Sequence, residues 1–95
     1  MRFRDNGTRD IFNGIESKDA RRTLPQILHA KAAELLDRLN AADSPDDLRT
    51  PAGNRLEKLR GDRRGQTSIR INDQYRICFN WNEGEAQNVE IVDYH

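Results

Sequence analysis

Residues 55–81 read RLEKLRGDRRGQTSIRINDQYRICFNW, and across this stretch the hydrophobic period is two. Leu56 stands apart from Glu57, Ile69 and Ile71 alternate with Ser68 and Arg70, and Tyr75, Ile77, Phe79 and Trp81 alternate with Arg76, Cys78 and Asn80. Successive side chains of a strand point to opposite faces, so the alternation predicts half-buried antiparallel strands. Their joins, GDRRG, then ND or DQ, then NEGE, are short and made of turn formers. A last strand, QNVEIVDY, completes a meander and would hold the end of the chain by backbone pairing.

Upstream the period changes. From about Pro25 to Ala42, residues Leu28, Ala32, Leu35, Leu36, Leu39 and Ala42 form one stripe of a helix of period about 3.6. Pro25 suits its first turn, with Thr23 or Leu24 at the cap. SPDDLRTPAGN then makes a loop. A shorter helix is expected around Thr8 to Ile15, confined by Gly7 and Gly14, and RFR near the start is a candidate added strand. The order implies α+β: two N-terminal helices on one face of a mainly antiparallel sheet of four to five strands, in a single domain over residues 1–95.

With 95 residues there is room for one modest core. Charged side chains (34%) nearly equal hydrophobic ones (35%), which fits a small domain with a large partner-binding surface better than disorder, since the hydrophobics are patterned. No apolar run approaches the roughly 20 residues needed to span a bilayer. MRFRDNGTRD lacks a signal peptide's apolar stretch, so the cytoplasm is the expected compartment and no membrane partner is expected. One cysteine and no Cys/His cluster argue against an internal disulfide or structural zinc, and no cofactor is expected.

Net charge is zero, but residues 49–76 hold 8 basic against 3 acidic side chains, a balance of +5. Such a patch suits a polyanion, because phosphate affinity depends on the charges at the contact. Arginines that merely solvate strand faces would give the same pattern.

The chain ends in Asp93, Tyr94 and His95. Cleaving an RNA phosphodiester requires a group to take the 2′-hydroxyl proton, one to protonate the leaving oxygen, and cations to offset charge on phosphorus. His95 is a natural proton shuttle with an ordinary pKa near about 6.5. Arg60 and Arg76 offer planar forks for phosphate, Tyr94 can stack on a base or donate a hydrogen bond, and Glu57 or Asp93 can act as base or orient His95. Structural roles compete with each: a solvated terminal His95, a half-buried strand Tyr94, a surface Asp93, a cross-strand ion pair for Arg76. His29, mid-helix, reads as a surface or boundary residue and Cys78 as a small core hydrophobe. A hairpin turn accounts for Gly61 and Gly65 with Arg63 and Arg64, and the Arg60-Gly61-Asp62 tripeptide reads as chance.

Taken in order, three features resemble HigB-like toxins of the RelE/ParE superfamily: the Leu-x-x-Leu-Arg-Gly-Asp-Arg segment of residues 56–63, the Ser-Ile-Arg and Tyr-Arg-Ile-x-Phe strands of residues 68–79, and the terminal Asp-Tyr-His. The resemblance covers roughly residues 24–95. It implies the toxin of a type II toxin–antitoxin pair, a metal-independent endoribonuclease that cleaves mRNA on the ribosome. A helix-turn-helix, HigA-like antitoxin would neutralise it and carry it to operator DNA. Family roles fall on Arg76 as the phosphate-stabilising arginine, on Arg60, and on Asp93, Tyr94 and His95; Lys58, Arg63, Arg64 and Arg70 join Arg60 as candidate RNA or phosphate ligands.

Two departures stand out. Glu57 occupies a position where many relatives have histidine, and Gln66 and Thr67 stand where relatives often have aromatics. With the neutral net charge, Glu57 motivates a second reading: a catalytically weak toxin fold acting mainly as antitoxin-binding corepressor of its operon. A third, action on DNA gyrase, fits the Asp-Tyr-His ending poorly.

Overall fold

In the computed structural model, which describes residues 1–94, the period-two segments become strands β1 (Glu57–Lys58), β2 (Thr67–Arg70), β3 (Tyr75–Asn82) and β4 (Glu85–Asp93). They form one antiparallel sheet in the order β1-β2-β3-β4. Ile69 pairs with Ile77 and Ile77 with Ile91, so these side chains share one face. On that face they join Ile71, Phe79 and Val89 and meet Ala32, Leu35, Leu36 and Leu39 of the long helix in one core. Burying each large aliphatic or Phe side chain there stabilises the fold by about 1.5–3 kcal/mol.

Among the described residues there are three α-helices where two were expected: α1 (Asn6–Phe12), α2 (Lys18–Thr23) and α3 (His29–Ala41). The sequence KDARRT of α2 buries only Ala20, so it carries no apolar stripe to announce it. Side chains mark both short helices at their starts: Asp5 accepts from the Thr8 amide at 2.7 Å and Ser17 from the Ala20 amide at 3.0 Å. Gly7 lies inside α1 and does not bound it. Its missing Cβ is what lets α2 approach, since a Cβ there would sit 2.7 Å from the Asp19 carbonyl oxygen.

The long helix also starts later than its stripe predicts. Pro25 is extended (ψ 136°), a 3₁₀ turn takes up Gln26–Leu28, and α3 begins at His29. That turn folds His29 back against the chain before it, so His29 is buried where a surface or boundary residue was expected. His29 is 7% exposed, with Nε2 2.8 Å from the Leu24 carbonyl and Nδ1 3.3 Å from Glu16.

The N-terminal RFR segment reaches β4 as an isolated parallel bridge between Phe3 and Val89. Arg2 and Arg4 amides donate to the Ala86 and Val89 carbonyls, and Thr8 Oγ1 accepts from the Ile91 amide at 3.1 Å. The outer edge of β4 is therefore occupied along much of its length, and its inner edge is paired with β3 through Asp93. The Tyr94 amide adds one more bond, to the Gln74 carbonyl at 2.7 Å. The expectation that the tail is held applies up to Tyr94.

The second sheet face is not bare, as the alternation alone suggested. Ser68, Arg76 and Cys78 on it are each at most 8% exposed. Cys78 is thus a buried small residue, but it lies across the sheet from the helices. No helix among the described residues is long and apolar enough to cross a membrane.

Candidate functional site

Strand alternation and register put Glu57, Ser68, Arg70, Arg76 and Val92 on the face opposite the helices, with Glu57 across from Ser68 and Arg70 across from Arg76. Where β4 ends, Tyr94 falls on the same side as Val92, and its ring centroid lies 5.8 Å from the Arg76 guanidinium carbon. Around these residues is an open pocket of about 290 Å³ lined by Arg55, Glu57, Arg70, Asn72, Asp73, Arg76 and Tyr94.

Arg76 is the fixed point of the pocket. It is 8% exposed, and a buried guanidinium needs partners. Its Nε donates to Ser68 Oγ at 2.7 Å, and one terminal nitrogen donates to the Arg55 carbonyl at 2.5 Å and to the Ser68 carbonyl at 3.4 Å. The same nitrogen is 3.9 Å from Glu57 Oε2. Most of these partners are neutral oxygens that orient the cation without cancelling its charge.

The Arg55 carbonyl is aimed by the loop before it. Ser44 and Asp47 form a reciprocal cap on the 3₁₀ turn Pro45–Arg49, whose Leu48 is buried in the core. The Leu48 carbonyl accepts from buried Asn54 Nδ2 at 3.1 Å. Arg55 then takes the left-handed conformation (φ 45°, ψ 59°), which costs a non-glycine residue about 1–2 kcal/mol. The chain turns there from the loop into β1, and the Arg55 carbonyl faces Arg76.

Three arginines and two acids line this pocket, with Arg70 ion-paired to Asp73. The excess of cation, a carboxylate on the rim (Glu57, 55% exposed) and an accessible phenol (Tyr94, 39% exposed) could together bind a phosphate, accept a proton and stack or hydrogen-bond a base.

Of the residues singled out by sequence, Glu57, Arg70, Arg76 and Tyr94 come together. Asp93 does not join them: it pairs with Tyr75 and so shares the helix-side face, where its carboxylate accepts from Gln74 Nε2 at 3.1 Å. His95 lies outside the described residues. Arg60 is exposed at the cap of the 3₁₀ turn Gly61–Arg63, and exposed Lys58 lines a separate pocket with Leu59, Gly65, Gln66 and Thr67.

Arg63 and Arg64 help form a second open pocket of about 480 Å³ with Arg4, Asp62, Gln66 and Asn80. Arg63 donates to Glu90 at 2.7 Å, and that hydrogen bond raises the guanidinium pKa further. Burial pushes the Cys78 thiol up from its ordinary range.

Arg55, Asn72 and Asp73 of the first pocket, and Arg4, Gln66, Asn80 and Glu90 around the second, were not candidates. Arg55 lies in the basic stretch of residues 49–76, but nothing in its neighbours announces a left-handed turn. Arg4 arrives from the far end of the chain through the Phe3 bridge. Among the described residues, no group of three or more His, Cys, Asp or Glu side chains is placed to hold a metal ion.

A family model described as HigB-like toxin, a RelE-like toxin of the type II toxin–antitoxin system HigB, matches residues 1–95. The chain is 36% identical over 88 residues to Toxin HigB-1 of Vibrio cholerae serotype O1, covering 93% of this chain and 90% of that protein. It is 34% identical over 87 residues to an uncharacterized protein of Haemophilus influenzae, covering 92% and 83%. Among solved structures, the YoeB–YefM complex of Staphylococcus aureus contains a chain that superposes with a TM-score of 0.61 at 17% identity, covering 99% of this chain and 93% of that one. A heterotetrameric YoeB–YefM complex from the same organism gives 0.60 at 17%. The family model matches the whole chain and the Vibrio cholerae toxin is similar along nine-tenths of it, and the fold agrees with both: this chain belongs to the HigB-like toxin family of type II toxin–antitoxin systems.

Proposed function

We propose that the chain is an endoribonuclease that cleaves mRNA on the ribosome, in the cytoplasm, and that a helix-turn-helix, HigA-like antitoxin neutralises it and brings it indirectly to operator DNA. The observation that carries this reading is the convergence of Arg76, Arg70, Glu57 and Tyr94 on one open pocket at the held end of β4.

In this reading the scissile phosphate sits against Arg76 and Arg70, whose planar forks match its oxygens and offset charge developing on phosphorus. Glu57 takes the proton of the 2′-hydroxyl as its oxygen attacks phosphorus. The P–O5′ bond breaks, and His95 returns a proton to the leaving oxygen. The products are a 2′,3′-cyclic phosphate and a 5′-hydroxyl, and all the chemistry is assigned to side chains. Proton transfer of this kind is worth about 10² to 10⁴-fold in rate. Tyr94 stacks on a neighbouring base. The Asp93 carboxylate, which accepts from Gln74 Nε2, lies on the other face of the strand, two residues before His95 in sequence.

Inducing the chain in bacteria without antitoxin should arrest growth, and primer extension should find new 5′ ends within mRNAs. Deleting Tyr94 and His95 should relieve the arrest; equal harmlessness of both folded forms would rule out the enzyme reading.

One observation favours the corepressor reading. Arg76 already serves Ser68 and Arg55 and has Glu57 within 3.9 Å, so part of its donor capacity is internal. Operator binding with the antitoxin, without mRNA cuts, would select that alternative.

A further inference from the structure

The second pocket has a construction of its own. Glu90, with a side chain only 14% exposed, uses both carboxylate oxygens: Oε1 accepts from Arg63 at 2.7 Å and Oε2 is 3.5 Å from Arg4 Nε. One largely buried acid therefore fixes two arginines that come from distant parts of the chain. Arg63 also donates to Gln66 Oε1 at 3.0 Å. The Gln66 amide reaches Asn80 Oδ1 at 3.4 Å, Asn88 Nδ2 reaches the same oxygen at 3.1 Å, and Asn80 Nδ2 donates to the Gly65 carbonyl at 3.2 Å. Arg64 completes the rim. Oriented cations beside amide groups can bind a phosphate and hydrogen-bond a base edge together.

Its position supports a shared ligand with the first pocket. Arg76, Cys78 and Asn80 alternate on β3 and face the same way, so Arg76 and Asn80 are about 13 Å apart along the strand at about 3.3 Å per residue. Cys78 lies between them and feels the charge of both Arg63 and Arg76. A strand of stacked nucleotides at about 3.4 Å each spans that distance in about four steps, and fewer when splayed.

We propose that the Arg4–Arg63–Arg64 pocket with Gln66 and Asn80 is a second RNA subsite that holds the backbone a few nucleotides from the phosphate at Arg76. The proposal rests on the ribonuclease reading and adds to it a minimum length of bound RNA. An acidic peptide segment of a protein partner is the rival ligand for this pocket, but the amide cluster favours RNA because it offers both donors and acceptors to a base.

The test uses the full chain and non-cleavable 2′-O-methyl oligoadenylates of about two and about eight nucleotides, with affinity measured by fluorescence anisotropy over a range of salt. The wild type should bind the longer RNA at least about ten-fold more tightly than the shorter. The Arg4→Ala/Arg64→Ala double variant, whose substitutions leave the Arg63–Glu90 pair in place, should lose most of that gain. Its affinity for the dinucleotide should stay within about two-fold of wild type. The slope of log affinity against log salt for the longer RNA should flatten by about 0.7 for each phosphate that the variant no longer neutralises. A gain from length that survives in the double variant overturns the subsite, as does an equal loss on both RNAs. So does unchanged RNA binding with weakened binding of an acidic antitoxin peptide, which would assign the pocket to a protein. Failure of the ribonuclease reading looks different: the wild type binds neither RNA and makes no cuts in mRNA, and the subsite falls with it.

Discussion

Ser68 Oγ accepts a hydrogen bond from Arg76 Nε at 2.7 Å across the β2–β3 ladder, and both side chains are buried. This bond decides which way the guanidinium faces. Replacing Ser68 with Ala removes the acceptor and leaves a buried donor short of a partner, at a cost of about 1–3 kcal/mol. Arg76 then turns to seek another oxygen. Ser68→Ala is expected to fold with a lowered melting temperature and to cut mRNA at least about ten-fold more slowly at a temperature where it is fully folded. Thermal denaturation followed by primer extension checks both.

The close approach of α1 and α2 depends on Gly7. Adding a methyl group places it 2.7 Å from the Asp19 carbonyl oxygen, which belongs to helix backbone and cannot move alone. Gly7→Ala should destabilise the fold by about 1–3 kcal/mol, the usual cost of overpacking. Chemical denaturation would register it as a lower midpoint with an unchanged slope.

Glu90 ties Arg63 and Arg4 to the sheet, and its loss should affect stability as well as RNA. Glu90→Gln replaces the carboxylate of this ion pair with a neutral amide oxygen, so the charged arginines lose their counter-charge, and is expected to cost about 1–2 kcal/mol. The Arg63 guanidinium, whose pKa this bond raises, stays charged in either form throughout the physiological range. The loss should therefore be nearly independent of pH between neutrality and mildly alkaline conditions, where denaturation curves can be compared.

Cys78 is fully buried, and burial raises its thiol pKa, so little thiolate is present in the folded chain at neutral pH. A disulfide reagent such as Ellman's should react slowly with the native protein. In denaturant it should titrate one thiol rapidly, as the single cysteine requires. Fast native reaction would mean that the sheet face opposite the helices opens readily.

Much of this structure is legible in the chain because the strands alternate strictly. Ile69, Ile77 and Ile91 fall on the core face and Arg70 and Arg76 on the other, as period-two reading demands. The same rule separates Asp93 from Arg76, although both sit near the sheet's end; a side chain next to Tyr94 in sequence points to the opposite face of the strand. The helices were harder to read. A six-residue α2 with one buried alanine leaves no periodic trace, and the start of α3 depends on a 3₁₀ turn that an apolar stripe does not distinguish from a helical one. The second pocket was hidden for a third reason. Its Arg4, Arg63 and Glu90 meet only through the Phe3–Val89 bridge and the bulge between Cys78 and Asn80, where Asn88 takes φ 52°. Non-local pairings of that kind have no local sequence signal.

The most direct measurement is a map of mRNA 5′ ends in bacteria induced to express the wild-type chain or Tyr94→Ala. Tyr94 is 39% exposed and its side chain can be removed without opening the core, so equal melting temperatures are expected. New 5′-hydroxyl ends within coding regions are expected for the wild type, with at least about a ten-fold loss of them for the variant. Ends that persist at full strength in Tyr94→Ala, or a folded wild type that makes none, would contradict the proposed mechanism.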